Sequence, residues 1–256
     1  MPSAPLLRVE SLDAGYSGST VVRDLTLEVR AGEVVALLGP NGAGKTSTID
    51  ALTGYHAPSN GTVSFGGEDI TGLRPHQRAR RGLARTWQSV ELFDDLTVEE
   101  NLLVASQRMG VLKALRDLLL PIGEAQREDV DWALELCGLT DVADRLPTEL
   151  SHGRRKLVGV ARALAQRPRL VLMDEPAAGL DTDESVELGQ HLRALPAEGV
   201  TVLLVDHDMG LVLSVCDEVV VLDFGRVIAR GTPAQTRNDE AVIAAYLGTQ
   251  REEANA

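Results

Sequence analysis

The run GPNGAGKT, residues 39–46, sets glycines at 39, 42 and 44 ahead of Lys45 and Thr46. Glycines at those places let a backbone turn tightly and aim its N–H groups inward at a phosphate. The spacing satisfies the P-loop pattern, and the whole stretch Gly39, Pro40, Asn41, Gly42, Ala43, Gly44, Lys45, Thr46, Ser47 is read as a nucleotide loop. Lys45 is expected to reach the β and γ phosphates of ATP, and Thr46 to place its hydroxyl on Mg2+. A P-loop leaves the reaction open, because the site still needs a metal-holding carboxylate and a group that activates the nucleophile. LVLMDE, residues 170–175, offers both. Asp174 is placed to hold Mg2+ through its water shell, and Glu175 to accept a proton from an attacking water.

These residues need elements that carry them to one place. VVALLG (34–39) is a continuous apolar run, as expected of a strand buried on both faces, and it feeds directly into the loop. Lys45 to Leu52 reads as the helix that follows, so a helix N-terminus adds its partial positive charge at the phosphate position. LVLMD (170–174) and VTVLLVD (200–206) read as two more buried strands, and the C-terminal end of such strands is where α/β sheets place ligands. LLRVESL (6–12), LTLEV (25–29) and TVSF (62–65) read as further strands, and VVVLD (219–223) with VIA (227–229) as a terminal hairpin. Between about 88 and 168 the texture turns helical. Thr97 and Glu100 form a capping box, residues 125–137 make a helical run ended by Gly138, and Ser151 caps a third helix. In that helix Leu157, Val160, Ala161 and Leu164 fall on one face, and it stops before Pro168.

Composition narrows the setting. The 256 residues can bury a substantial core unaided by disulfides or metals, and they carry a net charge of −13. That charge disfavours nonspecific binding to nucleic acid and adhesion to anionic lipid. The five arginines of RPHQRARRGLAR (74–85) lack interleaved aromatics and read as a solvated helix face. Cys137 and Cys216 lie far apart and read as buried free thiols. The start, MPSAPLLRVESL, lacks the basic and apolar segments of a signal peptide, and nowhere do about 18 apolar residues run together. The expectation is a chain at the cytoplasmic face of the membrane, attached through protein partners.

Several shorter motifs stand in register with these. Tyr16 lies in AGYSGSTVV, Gln88 in ARTWQ, Ser151 and Gly153 in LSHGR, Asp181 in AGLD and His207 in LLVDHDM. In this order they resemble the ABC ATPase family over about residues 6–248. The resemblance implies an α/β fold: a P-loop NTPase (RecA-like) ABC nucleotide-binding domain with an antiparallel β subdomain and a helical subdomain. It implies one domain over 1–248, with a core at about 1–87 and 168–235, helices at about 88–167 and a flexible tail at 249–256. Tyr16 then matches the aromatic that stacks on adenine, Gln88 the glutamine joining the Mg2+ site to the membrane partner, and His207 the sensor of the γ phosphate. Ser151 and Gly153 hold the place of the signature, which in a head-to-tail dimer faces ATP bound to the other subunit, and Asp181 belongs to the loop crossing that interface. His152 and Arg154 depart from the usual signature, and the role of Arg154 stays open between phosphate contact and surface.

One branch fits better than the family at large. GLARTWQSVELFDDLTVEENLLVA (82–105), MDEPAAGLD (173–181) and GRVIARGTPAQTRNDEAVIAAYLG (225–248) look like ATPase subunits of branched-chain amino-acid importers. The partners so implied are two transmembrane permease subunits, a second ATPase subunit and an extracytoplasmic solute-binding protein. Urea and short-chain amide importers carry nearly the same ATPase. Lipopolysaccharide-export ATPases usually have Pro where Trp87 stands. A soluble ABC protein of translation or repair usually has two cassettes, a coiled-coil insert or a basic arm, none of which is seen here. A catalytically dead binding module is disfavoured by Glu175 and His207, and a small-molecule kinase or GTPase by the signature and by His207.

Overall fold

The computed structural model describes residues 4–16, 18–87, 91–106, 124–206 and 208–253. Among the described residues ten strands build two sheets. β1 (Leu7–Tyr16), β2 (Ser19–Val29), β4 (Asn60–Phe65) and β5 (Glu68–Asp69) form an antiparallel sheet in the order β2-β1-β4-β5. β3 (Val34–Leu38), β6 (Leu83–Arg85), β7 (Leu170–Asp174), β8 (Thr201–Val205), β9 (Glu218–Asp223) and β10 (Arg226–Gly231) form the second, ordered β10-β9-β3-β8-β7-β6. All its neighbours run parallel except the β9–β10 hairpin.

Alternation along β3 explains why it reads as an unbroken apolar run. Val34, Ala36 and Leu38 enter one apolar cluster, while Val35 and Leu37 enter another. Successive side chains of a strand point to opposite faces, so both faces of the central sheet are covered. One face packs on helices α3 (Val98–Ser106), α4 (Glu124–Leu136) and α5 (His152–Leu164), through Leu102, Ala133 and Leu157 among others. The opposite face meets the antiparallel sheet and α1 (Lys45–Thr53), through Leu25, Ile49 and Leu52.

The local signals hold where they rest on caps. Thr97 N donates to Glu100 Oε2 at 2.8 Å and Glu100 N to Thr97 Oγ1 at 3.2 Å, closing the box at the head of α3. Ser151 Oγ accepts from Arg154 N at 3.3 Å at the head of α5, whose face Leu157, Val160, Ala161, Leu164 is buried. Two expectations, for Cys216 and for the arginine run, are corrected, and the final helix, Glu240–Glu253, takes in residues 249–253. Gln, Arg and Glu are good helix formers, and extending a helix costs less than starting one. Cys216 is only half-buried, whereas Cys137 is buried. The arginines at 74–85 are no uniform solvated face: Arg78, in the short helix α2 (Pro75–Ala79), is 1% exposed.

Arg78 has a structural duty. Its guanidinium donates to the carbonyls of Ala51 at 2.8 Å, Leu52 at 2.7 Å, Thr71 at 2.7 Å and Leu73 at 3.0 Å. Two of these belong to the last turn of α1, where carbonyls lack intrahelical partners and a cation is favourable. Arg78→Leu is therefore expected to cost about 3 kcal/mol, since it strands buried carbonyls. Arg81, in an exposed ion pair with Glu68, should cost no more than about 1 kcal/mol when changed to Ala. Urea denaturation of the two variants checks the difference; equal midpoints would return Arg78 to the surface class.

Candidate functional site

β3 stops at Leu38, and the chain turns through Gly39 (φ 151°), Gly42 (φ 80°) and Gly44 (φ 103°) before α1 starts at Lys45. At Gly39 a Cβ atom would lie 2.2 Å from the carbonyl oxygen of Leu222, so close approach of β9 requires glycine there. Lys45 is buried and donates to the carbonyls of Gly39 at 2.6 Å and Pro40 at 3.0 Å. The loop thus curls around its own lysine. Burial pulls the Lys45 ammonium below its ordinary pKa, against the opposing pull of Glu175 and Asp174. Those two acids are therefore its electrostatic neighbours. Thr46 is exposed and Ser47 is buried at the first turn of α1.

Asp174 ends β7 with 5% exposure. Burial raises its pKa, and the guanidinium of Arg85, 3.1 Å from Oδ2, works against that rise. Glu175 follows in a left-handed conformation, φ 48°, uncommon for a residue with a side chain. Its N–H donates to Val205 O at 2.7 Å, and its carbonyl accepts from the buried Lys156 at 3.3 Å. Asp206, at the end of the neighbouring strand β8, accepts from Ala177 N at 3.0 Å and Asp208 N at 2.9 Å. The corner after β7 is thus held from both sides, and Glu175 lines a cavity of about 360 Å³ together with Trp87, Phe93 and Lys156. An exposed hydroxyl, Thr46, and a carboxylate, Asp174, offer oxygen donors of the kind that suits a hard cation such as Mg2+.

Tyr16, at the end of β1, donates its hydroxyl to the Asp50 carboxylate on α1. Its ring meets His56 edge-on, with centroids 4.3 Å apart. Asp50 also pairs with Arg85, so the tyrosine and Asp174 are linked through one guanidinium. Arg85, Asp50, Asp206 and Lys156 were not singled out from sequence. The signals were there but faint: an arginine three places before Gln88, and an acid ahead of His207. Gln88 and His207 themselves lie outside the described residues.

The signature residues form a second cluster. Ser151 Oγ donates to Glu184 Oε1 at 3.2 Å, and Gly153 N donates to the same oxygen at 3.1 Å. A Cβ on Gly153 would lie 2.6 Å from the Glu184 carboxyl carbon, so glycine is needed for this approach. Glu184 arrives there from helix α6 (Thr182–Ala194), where Asp181 is the N-cap and accepts from Glu184 N at 2.9 Å. An anionic group therefore sits on the hydroxyl and amide read as the phosphate cradle. Arg154 pairs with Asp141 at 2.8 Å, giving the substituted signature position a partner on its own chain. A Cβ on Gly179 would lie 3.4 Å from His152 Nε2, so the imidazole lies over that glycine.

Comparison with known proteins agrees with this geometry. The model of the ABC transporter family matches residues 22–178, and that of the branched-chain amino acid ATP-binding cassette transporter matches residues 226–252. The high-affinity branched-chain amino acid transport ATP-binding protein BraF of Pseudomonas aeruginosa is 41% identical, covering 96% of this chain and 99% of that protein. The lipopolysaccharide export ATP-binding protein LptB of Haemophilus influenzae is 39% identical, covering 96% and 98%. Among solved structures, the ADP conformation of an ATP-binding cassette of an ABC transporter superposes with a TM-score of 0.84 at 31% identity, covering 96% of this chain and all of that one (100%). The phosphate loop after a buried strand, the acids at the next strand end and these likenesses along nearly the whole sequence lead to one assignment. The chain belongs to the ABC transporter family, as an ATP-binding subunit whose ATPase activity is coupled to transport.

Proposed function

We propose that this chain is one of two ATPase subunits driving an importer for branched-chain or similar amino acids. The observation that carries the solute class is the match of residues 226–252 to the branched-chain cassette model, outside the part common to the family. Trp87 beside Gln88 favours this over the lipopolysaccharide-export relatives, which usually have proline there. No helix among the described residues is long and apolar enough to cross a membrane, so the work is delivered to permease subunits through protein contact. The cytoplasmic face is where such a subunit meets ATP, and a solute-binding protein on the other side would deliver the amino acid.

In this reading Gly39–Ser47 hold the phosphates, with Lys45 moving its ammonium from the loop carbonyls to the β and γ oxygens. Mg2+ bound by Thr46 and Asp174, with Gln88, would screen the phosphate charge. Glu175 accepts the proton of the attacking water, and His207 orients on the γ phosphate. Tyr16 offers its ring to adenine. Two subunits close head-to-tail, so Ser151 and Gly153 of one meet the γ phosphate held by the other, with Asp181 near the interface. Glu184 occupies that hydroxyl and amide in the free chain and must turn aside as the dimer closes. The groove beside Phe93, which is 47% exposed, is the docking place for a short helix of the permease, whereas Leu92 packs against the core.

Glu175→Gln should bind ATP normally, lose turnover by orders of magnitude and accumulate as an ATP-dependent dimer in gel filtration. Adding Glu184→Ala to that background should let the dimer form at lower ATP while thermal stability drops slightly from the weakened cap. A parallel loss of dimer and stability would make Glu184 a structural residue only. Tyr16→Ala should weaken ATP binding by about 1–3 kcal/mol, the worth of a base–aromatic stack, with Tyr16→Phe far milder despite losing its bond to Asp50. Equal affinities for the Tyr and Ala proteins would remove Tyr16 from the site. Deleting the gene should abolish uptake of labelled leucine, and Phe93→Glu should do the same while the isolated subunit keeps its ATPase rate. Loss of urea, amide or lipopolysaccharide transport instead would overturn the solute half alone.

A further inference from the structure

Arg85 is the last residue of β6, paired alongside Leu172 of β7, so its side chain starts two residues from the level of Asp174. The guanidinium is shared between Asp50 on α1 and Asp174, with side-chain exposures of 8% for Arg85, 15% for Asp50 and 7% for Asp174. Its Nε is buried without a hydrogen-bond partner among the described residues, so the fork is committed to these two acids at its other nitrogens. On its outward side the same group lies 4.4 Å from the ring centroid of Trp87 and 5.8 Å from that of Tyr55. These rings meet edge to face at 5.1 Å and are about half exposed, 51% for Trp87 and 52% for Tyr55. Trp87 also lines the groove beside Phe93.

One cation therefore touches the carboxylate read as the metal holder, the acid bound to Tyr16 and an aromatic pair on the surface. A planar fork can hold two carboxylates at fixed relative positions while its face stays free for stacking. A lysine ammonium at this place is a rotating point charge that fixes no relative geometry between the two acids and offers no flat face.

We propose that Arg85 is a positioning residue that sets Asp174 for the metal and ties it to the exposed Trp87–Tyr55 pair, so that contact at the pair and metal binding at Asp174 are coupled. The inference rests on the reading of Asp174 as the holder of Mg2+. It reaches further, because it assigns a path from the groove to that carboxylate through a side chain whose contacts are two carboxylates and two rings.

The test uses the full chain with Trp132→Phe, which leaves Trp87 as its one tryptophan. ATP affinity is titrated with and without Mg2+, and Trp87 emission is followed in the same samples. In the Arg85 protein, Mg2+ with ATP should shift Trp87 emission. Arg85→Met should lose that shift and need about ten-fold or more Mg2+ for the same gain in ATP affinity, the usual effect of removing an outer partner of a metal ligand. Its affinity for ATP without Mg2+ should stay within about two-fold, and Arg85→Lys should fall between. A merely structural role would lower both affinities together, and that result, or an unchanged Mg2+ requirement with an intact Trp87 response, overturns the proposal. Asp174→Asn separates the underlying reading: an unchanged Mg2+ requirement there removes Asp174 as metal holder and the proposal with it. A raised requirement in Asp174→Asn alone sinks only the role of Arg85.

Discussion

The arrangement of the site depends on the parallel ladder joining β3, β8 and β7. Leu37 pairs with Val205 and Val205 with Asp174, so three strand ends stop at one level. The next residues beyond that level are Leu38 and Gly39, Asp206, and Glu175. A hydrogen-bonded register is a rigid ruler, because a slip of one residue would turn every side chain to the opposite face. Both faces of these strands are buried, which forbids such a slip. The glycine loop, the proposed metal carboxylate and the proposed base are thus brought together by backbone pairing, with the apolar clusters on either side fixing the register.

Charge is distributed around these strand ends so that the buried ions there face opposite charges. Lys45 sits near Glu175 and Asp174, Arg85 between Asp50 and Asp174, and Lys156 near Glu175 and Asp206. Removing either member of such a pair leaves an uncompensated charge in a poorly solvated place, which costs far more than a surface pair gains. The signature cluster follows the same logic, with Glu184 meeting the donors of Ser151 and Gly153.

Local patterns were legible in the sequence where the structure is itself local. The glycine spacing of the loop, the apolar runs of β3, β7 and β8, and the caps at Thr97 and Ser151 are each decided within a few residues. What escaped depends on partners far along the chain. Arg85 finds its acids 35 and 89 residues away, and Glu184 reaches Gly153 across 31. Arg78 escaped for a related reason: a polar run in sequence looks solvated until the carbonyls of α1 are brought over it. The terminal helix went unread because good helix formers without periodicity give no amphipathic signal.

The left-handed backbone at Glu175 bears on how this sequence can drift. A residue with a side chain held at such a φ costs on the order of 1–3 kcal/mol, and glycine or asparagine in its place would relieve that cost. Selection for robustness alone, whether in a laboratory thermostability screen or in a lineage that no longer needs turnover, should therefore erode position 175 early. On the proposed role of Glu175 as the base, retention of glutamate there marks a chain kept under demand for hydrolysis, and a relative with Gly or Asn at that corner would be a candidate for one released from it.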